Sequence, residues 1–131
     1  MKTTSQEISK RLVEAGIEVD TYFSYSRRID LEGYDFYLAW TDDVTPDDRW
    51  EIIPAPTADE LGELLPYGIG TFELKFGKDM YVPYYAEYSD VINGSTEYLN
   101  RFDADTMADA MALMLLWLKE NGHLDSKKEG R

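Results

Sequence analysis

Met107-Ala108-Asp109-Ala110-Met111-Ala112-Leu113-Met114-Leu115-Leu116-Trp117-Leu118 decides the fold, because no other segment of this chain holds a helical apolar period for so long. Met107, Ala108, Met111, Ala112, Met114, Leu115 and Leu118 form a broad apolar side. Leu113, Leu116 and Trp117 spread beyond it. The pattern predicts a helix over 105–121, capped by Asp103 or Asp105 and stopped at Gly122. So wide an apolar surface needs a sheet beneath it and a second contact besides, for which a homodimer interface is one source.

Upstream, the chain supplies such a sheet. Phe72-Glu73-Leu74-Lys75-Phe76 alternates, which predicts that Phe72, Leu74 and Phe76 face inward. Met80-Tyr81-Val82 begins the expected return strand, and Tyr84-Tyr85-Ala86-Glu87-Tyr88 continues it past Pro83. Asn93-Gly94 marks a turn into a strand at 96–99. Segments 19–28, 34–40 and 50–53 carry further β-formers. Thr57-Ala58-Asp59-Glu60 reads as a capping box opening a helix over 57–65, with Leu61, Leu64 and Leu65 as its buried side and Pro66 as its end. Thr4-Ser5-Gln6-Glu7 opens another helix at 4–15, with Thr4 as cap and Gly16 as stop. The expected fold is therefore α+β: an antiparallel sheet of about four or five strands packed with about three helices. With 131 residues, it is expected as one domain over 1–125 with a solvated tail at 126–131.

Charge is distributed unevenly. The net charge is −13. Between residues 30 and 65, eleven acidic side chains face one basic residue, Arg49. Such a field repels nucleic acid backbones and anionic lipid and attracts basic partners. The chain has no cysteine, which removes disulfides and thiolate chemistry. Its polar start predicts no signal peptide, and its longest apolar run is too short for a membrane helix. A cytoplasmic location is expected.

The densest acid lies in Thr41-Asp42-Asp43-Val44-Thr45-Pro46-Asp47-Asp48-Arg49-Trp50. Asp42, Asp43, Asp47 and Asp48 lack the glycine and terminal glutamate of a calcium-binding loop, so they read as a solvated turn or a contact surface instead of a metal site. Trp50 is the aromatic anchor beside them. His123, the only histidine, has no companion ligand for zinc and follows a helix stop. Ser24 and Ser26 stand in no nucleophile elbow. Gly68 and Gly70 lack a nucleotide-binding fingerprint and shape the entry to the Phe72 strand. No catalytic, cofactor-binding or metal residue is assigned. Tyr22, Tyr25, Tyr81, Tyr84, Tyr85 and Tyr88 are read as sheet core and edge cover before a binding platform.

The stretches Ile53-Pro54-Ala55-Pro56-Thr57-Ala58-Asp59-Glu60-Leu61-Gly62-Glu63-Leu64-Leu65-Pro66, Ala110 through Gly122, and Ile8 through Ile17 resemble small uncharacterised proteins encoded in bacteriophages and prophages. That resemblance implies an accessory or regulatory role in a bacterial cell and names no substrate. The leading expectation is a non-enzymatic, phage-associated accessory protein. It binds a protein partner with a basic surface, without direct nucleic acid or membrane binding, through Asp42, Asp43, Asp47, Asp48 and Trp50. One alternative is a nucleic-acid-mimicking inhibitor of a DNA-binding protein, marked by a wide convex acidic face. The other is a small hydrolase, marked by carboxylates converging in a pocket with a strongly raised pKa.

Overall fold

The computed structural model describes residues 2–43 and 47–124. They form an α+β fold of three helices and two antiparallel sheets, one of three strands and one of four. In chain order the elements are α1 (Gln6–Glu14), β1 (Phe23–Arg28), β2 (Tyr37–Trp40), a 3-10 turn (Thr41–Asp43), β3 (Trp50–Pro54), α2 (Ala58–Gly62), β4 (Gly68–Ile69), β5 (Phe72–Gly77), β6 (Tyr84–Ile92), β7 (Ser95–Ala104) and α3 (Met107–Glu120). The strands expected in one sheet divide between an order β2-β1-β3 and an order β4-β5-β6-β7. Pro46 and the tail expected at 126–131 lie outside the described residues.

The closing helix is the centre of the molecule. Ala108, Met111, Met114, Leu115, Leu116 and Leu118 are buried in one cluster with Leu12, Leu61, Leu65, Ala86 and Tyr88. The second contact demanded by α3 comes from within the chain, because α2 and α1 pack on the helix while β6 and β7 pack beneath it. Leu113 and Trp117 stay half-buried. The start of α3 differs from expectation. Thr106 is the cap, accepting the Asp109 amide at 3.2 Å, while Asp103 belongs to β7 and pairs with Arg101. With its amide satisfied, Asp109 directs its carboxylate at the Ser5 amide, 2.8 Å away, and so joins the starts of α1 and α3. Gly122, at φ 77°, ends the helix as predicted.

Thr4 is likewise not the cap of α1; Ser5 is. Thr4 is used elsewhere, its amide bonded to the Pro56 carbonyl and its hydroxyl to Ser9, and Thr3 bridges Thr57. These bonds fasten the N-terminal segment to the start of α2.

In the large sheet Phe72 and Leu74 pack on the core, whereas Phe76 is 52% exposed. Phe76 lies beyond the two residues paired with β4 and outside the cluster around α3, so it lacks the cover among the described residues that the alternation predicts. Met80-Tyr81-Val82 is not a strand. The Asp79 carboxylate accepts the Tyr81 amide at 3.2 Å, its amide bonds to the Val82 carbonyl, and Pro83 has no N–H to give a ladder. The return strand starts at Tyr84. Asn93 and Gly94 take φ of 53° and 80°, the left-handed pair that a two-residue hairpin turn needs. Tyr88 is buried and donates its hydroxyl to the Pro66 carbonyl at 2.6 Å, tying β6 to the end of the α2 segment.

The small sheet sits against α1 through β3, and the Tyr25 hydroxyl donates to the Thr4 carbonyl at 3.0 Å. Alternation and register put Phe23, Tyr25, Leu38, Trp40 and Ile53 on one face, with Ser24, Ser26, Tyr37, Ala39 and Ile52 on the other. Pro54 ends β3 at an outer edge, where a missing N–H costs no ladder bond.

Candidate functional site

A cleft of about 770 Å³ opens between the segment after α1, the end of β2 and the outer side of α2. Six carboxylates line it: Glu18, Asp20, Asp42, Asp59, Glu60 and Glu63. Among the described residues, none that lines it is basic. Tyr22 and Trp40 supply its aromatic walls and are 64% and 57% exposed. An adjoining groove beside Val13, Ile17, Val19 and Pro54 shares Glu18 and Asp20 with it.

Each wall follows from local structure. Asp59, Glu60 and Glu63 reach the cleft because Leu61 and Leu65 turn the opposite side of the α2 segment into the core. Early acids also suit the start of a helix, where unpaired amides point outward. Glu60 additionally fixes the site. One carboxylate oxygen accepts the Thr57 amide at 2.8 Å and the Thr57 hydroxyl at 3.0 Å, while the other accepts the Tyr22 amide at 3.0 Å. The predicted capping box thus extends into a tether that sets the Tyr22 wall against α2. Trp40 is held by Phe23, with ring centroids 4.5 Å apart, and Asp42 follows it in the 3-10 turn.

Four arginines are occupied elsewhere. Arg27 pairs with Glu51 at 2.6 Å, Arg28 with Asp30 at 2.6 Å, and Arg49 with Asp47 at 2.8 Å. Arg101 meets Asp79, Glu87 and Asp103 at 3.0, 3.3 and 2.9 Å, and covers the Tyr85 ring. These bonds hold Asp30, Asp47 and Asp79 below the usual carboxylate range, chiefly through hydrogen bonds from Arg28, Arg49 and Arg101. Among the described residues, none of these ion pairs involves Glu18, Asp20, Asp42 or Asp59. Those four cleft carboxylates therefore keep charge that the arginine pairs neutralise at Asp30, Glu51, Asp47, Asp79, Glu87 and Asp103.

The residues expected as a contact group do not stay together. Asp42 lines the cleft, whereas Asp43 and Asp48 are exposed outside it. Asp47 is neutralised by Arg49, and Trp50 is half-buried under the Arg28 guanidinium and edge-on to Tyr37. Trp40 lines the cleft, and Trp50 does not. Glu18 and Asp20 were missed, and their one sequence signal is their place in the polar segment between α1 and β1.

Other candidate features are dispersed. The six tyrosines make no single platform: Tyr88 is buried, Tyr25 reaches Thr4 ahead of α1, and Tyr22 and Tyr81 are exposed on separate connecting segments. Burial pushes the Tyr88 phenol well above its usual pKa. His123 stacks on Trp117 with centroids 5.5 Å apart. Among the described residues, no three acidic or histidine side chains gather closely enough to hold a metal ion, and no helix is long and apolar enough to cross a membrane. Comparison with known protein families, curated proteins and solved structures finds no match for this chain.

Proposed function

We propose that this chain is a non-enzymatic binding protein whose acidic, aromatic-walled cleft receives a basic segment of another protein. The observation that carries this reading is the combination of six carboxylates and two exposed aromatic rings in one cleft, with no basic residue among the described residues that line it. Each exposed charge pair contributes only about 0.2–1 kcal/mol. A cation over an exposed ring adds about 0.5–1 kcal/mol. Several such contacts acting together reach the millimolar-to-micromolar range, and they speed encounter by electrostatic steering. With the resemblance to phage and prophage proteins, this supports a cytoplasmic accessory role in a bacterial cell.

The test is an affinity measurement against the partner recovered by pull-down, repeated from about 50 to 300 mM salt. Screening weakens exposed pairs over that range, because the Debye length is about 10 Å at 0.1 M. The reading expects affinity to fall with salt and to fall further in Asp20→Asn/Asp42→Asn/Asp59→Asn and in Trp40→Ala. A partner whose affinity is indifferent to both salt and these substitutions binds elsewhere and sinks the reading.

A further inference from the structure

We infer that the open edge of β2 is the docking rail of this cleft: an extended basic segment of the partner adds to the small sheet as an antiparallel strand beside β2. This inference rests on the cleft reading. Its own basis is the hydrogen-bond phase of the sheet. Thr41 donates its amide to the Tyr22 carbonyl at 2.7 Å, and Phe23 pairs with Trp40, Ser24 with Ala39 and Tyr25 with Leu38. In an antiparallel ladder the bonded pairs alternate. Residues 37, 39 and 41 therefore turn their backbone groups toward β1, while Leu38 and Trp40 turn theirs to the open side. On β3 the same phase holds, since Ala55 donates to the Phe23 carbonyl and Ile29 to the Arg49 carbonyl.

Natural sheets protect their edges with proline, charge or a bulge. The far edge of the small sheet carries Pro54. The long edge strand β7 carries Arg101 and Asp103 and is paired across a register shift at Tyr88/Ser89. β2, Tyr37-Leu38-Ala39-Trp40, carries none of these devices, and Leu38 and Trp40 are 44% and 57% exposed.

Geometry and charge choose the occupant. Side chains of an added strand opposite Leu38 and Trp40 lie on the same face as those residues. Trp40 is itself a wall of the acidic cleft. Basic residues at alternate positions of the incoming segment thus share the face of Trp40, with the cleft carboxylates beside them. A second copy of the chain would instead bring another net charge of −13 to this edge.

The test uses the intact protein and the peptide acetyl-Lys-Val-Lys-Val-Lys-Val-Lys-Val-amide, with two twins N-methylated at either the lysine or the valine amides. In an antiparallel addition the lysine amides face β2. Lysine methylation should weaken binding about tenfold or more through lost backbone bonds. Valine methylation should leave binding near the parent value. Hydrogen exchange at the Leu38 and Trp40 amides should slow on binding the parent peptide. Equal affinity of the two twins, or unchanged exchange at these amides, overturns the edge pairing. If the twins bind equally but Asp20→Asn/Asp42→Asn/Asp59→Asn still weakens the peptide, the cleft reading stands and the rail falls. If the parent peptide binds no better to the protein than to this variant, the cleft reading itself falls. Slow exchange at Leu38 and Trp40 in peptide-free protein of dimeric mass also overturns the inference, because the edge is then filled by a second copy.

Discussion

Replacing Glu60 by alanine should loosen the cleft and destabilise the fold by an amount that can be worked from its bonds. Its carboxylate accepts the Thr57 amide and hydroxyl on one oxygen and the Tyr22 amide on the other. Loss of the capping-box partner costs about 1 kcal/mol, the typical magnitude for a helix cap. Loss of the Tyr22 acceptor costs about 0.5–1.5 kcal/mol, because water reaches that exposed segment and replaces part of the bond. The expected sum is about 1.5–2.5 kcal/mol, which for a chain of 131 residues corresponds to a fall of about 5–9 °C in Tm. Urea titration measures the free energy, and hydrogen exchange locates it at the Tyr22 and Thr57 amides. Glu60→Gln keeps one carbonyl-type acceptor and turns an amide donor toward the other N–H, so it should restore protection at only one of the two sites. A cost below about 0.5 kcal/mol for Glu60→Ala, or unaltered exchange at Tyr22, would show that the tether does not set the cleft wall.

Leu115→Ala should cost about 2–5 kcal/mol in urea denaturation, since Leu115 is fully buried where α3 meets the sheet; a cost under about 1 kcal/mol would place it outside the packed core. Raising the pH through about 10, the ordinary tyrosine pKa, should lower stability, because the unfolded Tyr88 ionises while burial keeps the folded phenol protonated. Tyr88→Phe should reduce that alkaline slope, and should cost about 1 kcal/mol at neutral pH for the lost bond to Pro66; an unchanged slope refutes the assignment. Toward acid the sign reverses. Asp79 is held below its ordinary pKa by Arg101, so its contribution is complete above about pH 4 and is lost as pH falls through the folded value. Asp79→Asn should therefore flatten the acid limb of a stability–pH profile, and an identical limb would show that the pair contributes nothing.

The elements were legible where one local pattern dominated. The period of α3, the Thr57–Glu60 capping box, the alternation of β5 from Phe72 to Leu74 and the Asn93-Gly94 turn all appear at their expected places. Legibility failed where two neighbouring residues offered the same chemistry. Ser5 caps α1 because Thr4 is bonded to Pro56, and Thr106 caps α3 because Asp103 is drawn into β7 beside Arg101. It failed again at Met80-Tyr81-Val82, where a side-chain turn at Asp79 competes with strand propensity. The candidate site was half visible: the acid-rich window contained Asp42, Asp59, Glu60 and Glu63, while Glu18, Asp20 and Trp40 entered only through packing.

Composition and local pattern by themselves determined an acidic α+β chain with an apolar closing helix, because periodicity, capping and charge count depend only on residues close in sequence. Tertiary structure alone decided that the strands split into two sheets, that α3 is covered from within the chain, and that arginine pairs neutralise Asp47 and leave Asp42 in the acidic cleft. The physical reason is that charge pairing and edge exposure depend on distances between residues far apart in the chain, and those distances exist only once the core has packed.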